Sequence, residues 1–498
     1  MFEAALGTWV LKAAFFHPAE GSREGGLMYP SLKEFKELSR EYERVAVYKE
    51  MDGDMDTPVS LLSKFLPFER VVLLESAKQN KTYSRFSFLA FDIVEKLVVR
   101  NDGVYVNGER QCPLSGLGAL LQQNNMPPHR EFGDFCGGYV GFLNFEFVGA
   151  CDILKKPLSK AGGVLGVLYL IEKFCVYDNY TNKLYVAVSR VIGEADPGDV
   201  YHEISRDLDR TEALIKSLVP SVAEEQRPQV SRRIPRGLFV DKVGRARDMI
   251  ADGEAIQIVL SDFLEAEQID PFEFYRNLRK INPSPYMYFL KDGKTGLVGS
   301  SPEIHLQIRG RSATLKPIAG TKKRSPGDNV DEIIDALTKD EKEKAEHLML
   351  VDLARNDLSR ICKVGSVDVK TFMEAEVYSH VVHLVTEVTG VLRDGLHVFE
   401  ALKATFPAGT VSGAPKVRAI EVIDEMEEHP RGPYAGCIGY IGFDGSLDMA
   451  ITIRTAIFEG CRARLQGGAG IVYDSVPERE HDEVMNKLLV LMKAGGLA

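Results

Sequence analysis

The sequence lacks several patterns that identify common classes of protein. Its seven cysteines are odd in number and include no C-x-x-C pair, which argues against a disulfide framework and against a structural zinc site. No run of about 18 apolar residues occurs, so no membrane-spanning helix is expected. The formal net charge is −11 and no basic stripe is present, so nucleic acid is not an expected partner.

Nucleotide-binding signatures are missing as well. No G-x-G-x-x-G follows a strand-like run and no G-x-x-x-x-G-K-[ST] occurs, so the motifs give no support for a nucleotide cofactor. The N-terminus has an apolar patch without a preceding basic segment, so a signal peptide is not expected. We therefore expect a cytoplasmic protein with reduced thiols, in which residues 1–27 form an extension of unknown role.

The composition that remains, 45% apolar and 27% charged residues, is that of a globular protein. A chain of 498 residues exceeds one ordinary core, so two large units or one very large α/β body are expected. Residues 28–219 contain mostly short strand-like runs, whereas residues 238–498 mix strands with strong helices. Residues 220–237 have the proline and charge content of a linker. This order predicts an α+β fold with large antiparallel sheets in a sandwich-like body surrounded by helices.

Two helices carry carboxylates at unusual positions. The segment 338–358 reads as a helix that a capping box of Thr338 and Glu341 begins, and it places Glu346 on an apolar stripe. Such a carboxylate either binds a metal ion or forms a salt bridge with Lys342 at the edge of the stripe. Both readings remain open on the pattern alone.

The C-terminal helix has a similar design, with Ser475 and Glu478 as its predicted capping box. Glu480 and Glu483 are spaced to converge on one side of this helix. Carboxylates from two helices could hold a divalent cation, because Mg²⁺ needs only one or two protein carboxylates. The competing interpretation is an ordinary ion pair between Glu483 and Lys487.

Three further segments are candidates for anion and ligand binding. "FPAGTVSGAPK" precedes a helix whose start Ser412 or Gly413 could cap, and helix starts bind anions. "LQGGAGIV" places glycines on a strand, where a ligand can approach the backbone. In "SLDMAITIRTAIF", a period-two pattern gives Arg454 small neighbours and room to grip a carboxylate, although a plain surface arginine fits equally well.

Read together and in order, these segments resemble the chorismate-utilising enzymes. The ordered set is "GSSPE", "PIAGT", "DEKEKAEHLMLVDLARNDL", "SHVVHLV", "FPAGTVSGAPK", "IRTA", "GGAGIV" and "E-x-x-E-x-x-NK". "MYPSLKEFKEL", "TPVSLL", "VVLLES" and "YSRFSF" extend the resemblance to the N-terminal half, which it identifies as a regulatory region. Residues 238–498 are identified in the same way as the chorismate-binding catalytic domain.

The resemblance implies a role for each matching residue. Glu346 and Glu483 match Mg²⁺ ligands, and Glu480 matches a neighbouring acidic position. Glu303 matches the general acid that protonates the departing C4 hydroxyl, and His383 matches a histidine linked to the later elimination. The positions that match substrate contacts are Gly320, Thr321, Thr410, Tyr434, Arg454, Gly468, Ala469 and Gly470. Val484 departs from the threonine found in many relatives, which affects fine positioning and not metal binding.

Two positions distinguish among the activities of the family. Relatives that make aminodeoxychorismate have a nucleophilic lysine in place of Ala319, and relatives that add water have a lysine base in place of Gln257. The resemblance therefore implies amination of chorismate at C2 by ammonia and pyruvate elimination to give anthranilate, with Mg²⁺ as the cofactor. No glutaminase motif is present, so a separate glutamine amidotransferase subunit is the expected partner. Aminodeoxychorismate synthesis and a non-catalytic ligand-sensing subunit are the alternatives.

A regulatory site is implied as well. "LLES" and "NPSPYM" resemble the tryptophan feedback pocket of anthranilate synthases. Glu75 or Ser76 would bind the amino group of tryptophan. The residues expected around the indole are Pro283, Ser284, Pro285, Tyr286 and Met287. Ordinary strand and turn packing is the competing explanation.

Overall fold

The structure is a computed structural model that describes residues 28–76, 85–122, 126–127, 135, 137–160, 162–218, 228–325, 327–377 and 381–498. The predicted extension, residues 1–27, lies outside the described residues, and so does the first part of the predicted linker, residues 220–227.

Antiparallel strands make up most of the described chain. In chain order they are β1 (Met28–Tyr29), β2 (Arg44–Asp52), β3 (Arg70–Glu75), β4 (Phe86–Phe91), β5 (Lys96–Arg100), β6 (Gly103–Val106), β7 (Glu109–Cys112), β8 (Gly138–Leu143), β9 (Val164–Ile171), β10 (Lys173–Asp178), β11 (Lys183–Val191), β12 (Gln229–Arg232), β13 (Gln257–Glu267), β14 (Tyr286–Asp292), β15 (Thr295–Ser301), β16 (Ile304–Arg309), β17 (Ser312–Leu315), β18 (Ile318–Lys323), β19 (Asp368–Val377), β20 (Val381–Val391), β21 (Gly413–Ala414), β22 (Cys437–Gly442), β23 (Leu447–Ile451), β24 (Thr455–Glu459) and β25 (Arg462–Ile471).

Helices lie between these strands. They are α1 (Leu32–Leu38), α2 (Pro58–Phe65), α3 (Leu117–Leu121), α4 (Pro197–Ile215), α5 (Arg236–Ala251), α6 (Pro271–Ile281), α7 (Val330–Thr338), α8 (Glu341–Ser359), α9 (Val398–Thr405), α10 (Lys416–Met426) and α11 (Pro477–Ala494), with 3₁₀ turns at Leu114–Gly116, Phe145–Ala150 and Gly409–Val411. Within the described part of the chain, none of these helices combines the length and apolar character that a membrane span requires.

The strands form two large antiparallel sheets, which confirms the predicted fold class. The first sheet has 13 strands in the order β1-β2-β11-β10-β4-β3-β14-β15-β24-β25-β13-β12, with β21 paired to β13. The second has 12 strands in the order β18-β20-β17-β16-β23-β22-β8-β9-β5-β6-β7, with β19 paired to β20. Apolar side chains such as Val72 and Tyr288 of the first sheet and Val140 and Tyr440 of the second belong to one buried cluster between the sheets.

Both sheets combine strands from the two halves of the chain. Strand β3 pairs with β14, and β8 pairs with β22. The predicted linker therefore does not divide two independent sheets, and its described part forms β12 and the start of α5. Strand β12 lies at the edge of the first sheet with alternating exposed residues. Charge and proline are tolerated at such an edge, which explains why its composition resembles that of a linker.

The predicted capping boxes of the two carboxylate-bearing helices are wrong. Thr338 ends α7, and its hydroxyl donates to the Ile334 carbonyl oxygen instead of capping α8. Helix α11 begins after Val476 without a side-chain cap, while Ser475 Oγ accepts a hydrogen bond from Val472 N. In both cases the hydroxyl bonds back to the segment that precedes the helix, which is a common alternative for serine and threonine.

Candidate active site

A buried glutamate lies at the centre of the site. Glu303 follows β15 on the short connection to β16, and it is 7% exposed. Burial raises the pKa of its carboxyl from 4.5 to about 8. The nearby groups Thr410, Arg454 and Lys487 lower the same pKa and so limit the rise. A carboxyl group in this environment is protonated at neutral pH and adjoins cations that would stabilise its anion.

Thr410 presents an unsatisfied hydroxyl to the site. It lies on the 3₁₀ turn Gly409–Val411, close enough to the Glu303 carboxyl to lower its pKa. The buried Oγ1 atom nevertheless has no hydrogen-bond partner in the protein. A buried polar atom of this kind is costly unless a ligand or water satisfies it, so the geometry indicates a binding site.

Arg454 reaches the site from a break between strands. The sequence pattern predicts one continuous period-two strand through this residue, but β23 ends at Ile451 and β24 begins at Thr455. Arg454 itself has a φ of 50°, in the left-handed region. With this backbone conformation, the guanidinium of Arg454 lies close enough to Glu303 to lower the pKa of that carboxyl. The prediction of a continuous strand is therefore wrong, because alternation alone cannot reveal a left-handed residue.

Strand β25 forms a wall with little room for side chains. A Cβ atom on Gly468 would lie 2.8 Å from both Tyr434 Oη and the Leu260 carbonyl oxygen. A Cβ on Gly470 would lie 2.8 Å from Gln257 Nε2. The side chain of Ala469, between them, points into the core and is fully buried. The two glycines are therefore required because Tyr434 and Gln257 approach the backbone of this strand closely.

The two predicted metal-ligand helices both approach this wall. Gln257 Nε2 donates a hydrogen bond of 3.4 Å to Glu346 Oε1. On α11, Glu483 Oε1 forms an ion pair of 2.7 Å with Lys487 Nζ, which also donates to the Gly468 carbonyl oxygen at 2.9 Å. The Glu483–Lys487 ion pair, the alternative to metal binding for Glu483, is thus present. The side chain of Lys342, the alternative partner of Glu346, lies outside the described residues.

The carboxylates alone do not form a cage. No cluster of three or more histidine, cysteine, aspartate or glutamate side chains that could hold a metal ion occurs in the described part of the chain. Mg²⁺ does not require one, since it is bound by one or two carboxylates together with water and substrate oxygens. The donor set of Glu346 and Glu483, with Glu480 one turn away on α11, is therefore chemically suited to Mg²⁺.

Strands β18 and β20 carry the remaining predicted site residues. His383 is 4% exposed and lies opposite Thr321 in the β18–β20 register. Gly320 has a φ of +72°, and an added Cβ would lie 3.3 Å from Glu343 Oε2. This glycine is therefore closely packed, and the adjacent Ala319 is a buried methyl group.

Lys487 is a site residue that the sequence analysis did not assign to the substrate site. The sequence indicates it only as the ion-pair partner of Glu483, although its cation also lies close enough to Glu303 to lower the pKa of that carboxyl. Its position four residues after Glu483 on one face of α11 was the available signal. The sequence does not reveal how closely helix α11 packs on strand β25.

A cavity of about 540 Å³ lies between the sheets. Five of the residues predicted for tryptophan line it: Glu75, Ser76, Pro285, Tyr286 and Met287. Pro283 is not part of this lining, and the buried Ser284 hydroxyl lies near Asn282 O and Ser300 Oγ instead.

Glu75 is the most informative residue of this cavity. Its side chain is 2% exposed, and its Oε1 atom forms an ion pair with Arg279. The other carboxylate oxygen, Oε2, and the neighbouring Ser76 Oγ are buried without hydrogen-bond partners. The buried Tyr275 hydroxyl lies close to the same carboxylate. A carboxylate with one oxygen unpaired, next to a serine hydroxyl at the edge of a cavity, is suited to a ligand with a cationic amino group.

Comparison with known proteins gives one family. The sequence profile of the family described as chorismate binding enzyme matches residues 69–493. Anthranilate synthase component 1 of Aquifex aeolicus is 39% identical over 488 residues, which cover 93% of this chain and 97% of that protein. The protein of the same name from Thermus thermophilus is 38% identical over 466 residues, covering 92% of this chain and 99% of that protein.

Solved structures give the same result. The crystal structure of anthranilate synthase component I from Streptococcus pneumoniae superimposes with a TM-score of 0.72 at 35% identity, covering 83% of this chain and 94% of that chain. The menaquinone-specific isochorismate synthase from Escherichia coli gives a TM-score of 0.69 at 19% identity, covering 100% of this chain and 99% of that one. At this lower identity the likeness concerns the fold alone.

Proposed function

The chain belongs to the chorismate binding enzyme family, and from that membership we propose that it is the large, aminating subunit of an anthranilate synthase. In this reaction ammonia adds to C2 of chorismate, the C4 hydroxyl leaves, and pyruvate is then eliminated to give anthranilate. Relatives named anthranilate synthase component 1 support the assignment. The observation that carries it is the buried, protonated Glu303 beside two cations.

Glu303 is the general acid in this proposal. General acids work best when their pKa lies near the operating pH. Because burial raises the pKa of Glu303 to about 8, the carboxyl holds its proton at pH 7 and can give it to the departing C4 oxygen. Arg454 and Lys487, which both lower this pKa, would then stabilise the carboxylate that remains.

Chorismate carries two carboxylates, and the site offers several groups to bind them. Arg454 can grip one carboxylate through a bidentate fork. The free Thr410 hydroxyl and the Tyr434 hydroxyl, which lies against Gly468, supply further donors. The glycines of β25 let the substrate lie directly on the backbone. This distribution of donors supports binding of a dicarboxylate next to the acid.

Glu346 and Glu483 are the residues that would hold Mg²⁺, with Glu480 nearby. When bound, the ion would neutralise the ring carboxylate of chorismate and orient it. Gln257 donates to Glu346, and Lys487 pairs with Glu483, so both carboxylates are held close to strand β25. These contacts hold the acidic side chains in position.

The nucleophile comes from outside the chain in this proposal. Ala319 supplies only a methyl group and cannot attack chorismate. Gln257, 3% exposed, has an amide that cannot accept a proton usefully near neutral pH, so water would not be activated. Ammonia needs less help, and a separate glutamine amidotransferase subunit would deliver it. His383 would favour the later elimination of pyruvate.

The cavity between the sheets is proposed as the tryptophan site. The unsatisfied Glu75 Oε2 and Ser76 Oγ would accept hydrogen bonds from the amino group. Pro285, Tyr286 and Met287 supply apolar surface for an indole ring in the same cavity. Aromatic ligands gain most of their affinity from such apolar burial, whereas a few placed polar groups fix their orientation.

Product analysis tests the main proposal. The purified chain is incubated with chorismate, Mg²⁺ and an ammonium salt, and anthranilate is followed by its fluorescence. We expect turnover with ammonium, none with glutamine alone, and none after chelation of Mg²⁺. A product that becomes fluorescent or aromatic only after a separate lyase is added would identify aminodeoxychorismate synthesis. Absence of any product from chorismate would favour a ligand-sensing subunit, and repeating the assay with tryptophan tests inhibition.

A further inference from the structure

A buried ion pair outside the substrate site joins the elements that carry the catalytic groups. Lys416 is the first residue of α10, and Asp357 lies near the end of α8. The ammonium donates to both Asp357 carboxylate oxygens at 2.8 Å. Both side chains are about nine-tenths buried, with 10% and 9% exposed. Little of either side chain is accessible, so the pair is not a binding site for a ligand.

The third proton of the ammonium is also used. Lys416 Nζ donates to the Thr405 carbonyl oxygen at 2.9 Å. A lysine ammonium has three donors, so all three are satisfied within the protein and none remains for substrate. Thr405 ends α9 and Lys416 begins α10, so this bond closes the base of the loop 406–415. Thr410, which approaches Glu303, lies on that loop.

The same loop is packed against helix α8 and strand β13. A Cβ atom on Gly409 would lie 2.8 Å from Leu353 Cδ1 of α8, so the loop touches the helix directly. On its other side, Ile256 N donates to Ala414 O at 2.7 Å, beside Gln257. Helix α8 carries Glu346 about three turns before Asp357. The loop therefore lies between the candidate acid and the candidate metal-ligand helix.

The ion pair also adjoins strand β16, which follows Glu303. His305 is 2% exposed, packs edge-on against Phe406 at 5.5 Å, and lies close enough to feel the Lys416 charge. Replacing a buried ion pair by apolar residues of similar size is often neutral or stabilising, so stability alone does not account for one here. A fixed ion pair does specify one relative position of the elements it joins.

We propose that Lys416 and Asp357 are positioning residues that lock the Thr410 loop to helix α8 and thereby hold Thr410 against Glu303. Neither residue contacts substrate. The proposal rests on the proposed function for its kinetic consequence, since a displacement of about 1 Å at a catalytic group can cost about 100-fold in rate. It has a second consequence that does not depend on turnover, because Thr410 lowers the pKa of Glu303.

The test replaces the whole pair, in the variant Asp357→Leu/Lys416→Met. We expect a folded protein whose kcat with ammonium falls about 100-fold, while KM for chorismate changes at least tenfold less than kcat. Infrared difference spectra against Glu303→Gln report the protonated carboxyl of Glu303 directly. Its titration should move to higher pH in the double variant, and by a similar amount in Thr410→Val.

The matched control is Asp56→Leu/Lys64→Met. This pair is similarly buried, and its ammonium also binds one aspartate and one backbone carbonyl, but it lies on α2 and the segment before it. We expect unchanged kcat and an unchanged Glu303 titration. Equal losses in the control would overturn the proposal, and so would a double variant with wild-type kcat and titration.

A second variant keeps the test decisive if the double variant does not fold. Asp357→Glu retains the charge but adds one methylene, which must displace the loop or the helix. We expect at least a threefold loss of kcat and the same direction of change in the Glu303 titration. A folded Asp357→Glu with wild-type values refutes positioning. Absence of anthranilate from the wild type would refute the proposed function instead, and the infrared titration would still decide the positioning role.

Discussion

Replacing Glu303 by glutamine should stabilise the folded protein at alkaline pH while abolishing most of its activity. Glutamine has nearly the same shape as glutamate but cannot ionise. Raising the pKa of Glu303 from 4.5 to about 8 corresponds to about 5 kcal/mol in favour of the protonated form of the folded state. At a pH above 4.5 the unfolded wild type is favoured because its Glu303 ionises freely, whereas the folded state keeps the proton up to about pH 8.

The sign follows from proton linkage. The pKa of Glu303 is higher in the folded state, so the folded state binds more protons than the unfolded state between pH 4.5 and about pH 8. The contribution to stability is then fully present below about pH 4.5 and is lost as the pH rises through about 8. Relative to wild type, Glu303→Gln should gain up to about 5 kcal/mol between pH 4.5 and pH 9.

Chemical denaturation of both proteins at several pH values measures this difference. Taking the difference at each pH cancels the titration of other groups, as long as these groups lie far from the substitution. Glu428→Gln, at an exposed glutamate paired with Lys242, serves as the control substitution. In the ammonium assay, loss of a general acid should lower kcat by about 10²- to 10⁴-fold, with chorismate binding retained in calorimetry.

Two results would refute the reasoning. A constant difference in unfolding free energy between wild type and Glu303→Gln from pH 4.5 to pH 9 would mean that the carboxyl ionises as it does in water. Unchanged turnover of Glu303→Gln would remove its role as the acid. The stability result concerns the environment of the carboxyl and the kinetic result concerns its role, so either can fail alone.

Three further substitutions test other parts of the proposal. Arg454→Lys should raise KM for chorismate at least about tenfold in initial-rate assays, because lysine cannot form two parallel hydrogen bonds to a carboxylate. An unchanged KM would contradict carboxylate binding at Arg454. Gly470→Ala would place a Cβ 2.8 Å from Gln257 Nε2. We expect kcat/KM to fall about 100-fold with an unchanged circular dichroism spectrum. Full activity would mean that substrate does not lie on strand β25. Glu75→Gln should weaken tryptophan binding in calorimetry at least about tenfold while ammonium-dependent kcat stays unchanged, and undiminished binding would contradict an amino group at Glu75.

Much of the fold and site follows from local sequence pattern. The helix predicted in the segment 338–358 occurs at Glu341–Ser359, and the predicted C-terminal helix occurs at Pro477–Ala494. Alternation and helical periodicity act over a few residues, so each segment carries its own information. The order of short motifs gave the family for the same reason.

The features that local sequence pattern misses or predicts wrongly have two origins, contacts between distant segments and competing local hydrogen bonds. The pairing of β3 with β14 joins residues more than 200 positions apart, and no local composition reveals it. The hydroxyls of Thr338 and Ser475 had local alternatives to capping that a four-residue pattern could not rank. Lys487 was read as an ion-pair partner because its second contact, the Gly468 carbonyl, comes from another strand.

The candidate acid Glu303 and the cavity between the sheets share one short stretch of chain. Pro302 and Ile304 line the cavity, whereas Glu303 between them faces Thr410 and Arg454, as expected when side chains alternate along extended backbone. The β16–β23 register shifts directly after Ile304, so this stretch is irregularly paired and less constrained than a regular ladder. A ligand in the cavity would therefore lie against the two residues that flank Glu303 in the chain. Coupling between two sites requires an element that both can bias, and this stretch is the part of the chain that borders both the cavity and the candidate acid.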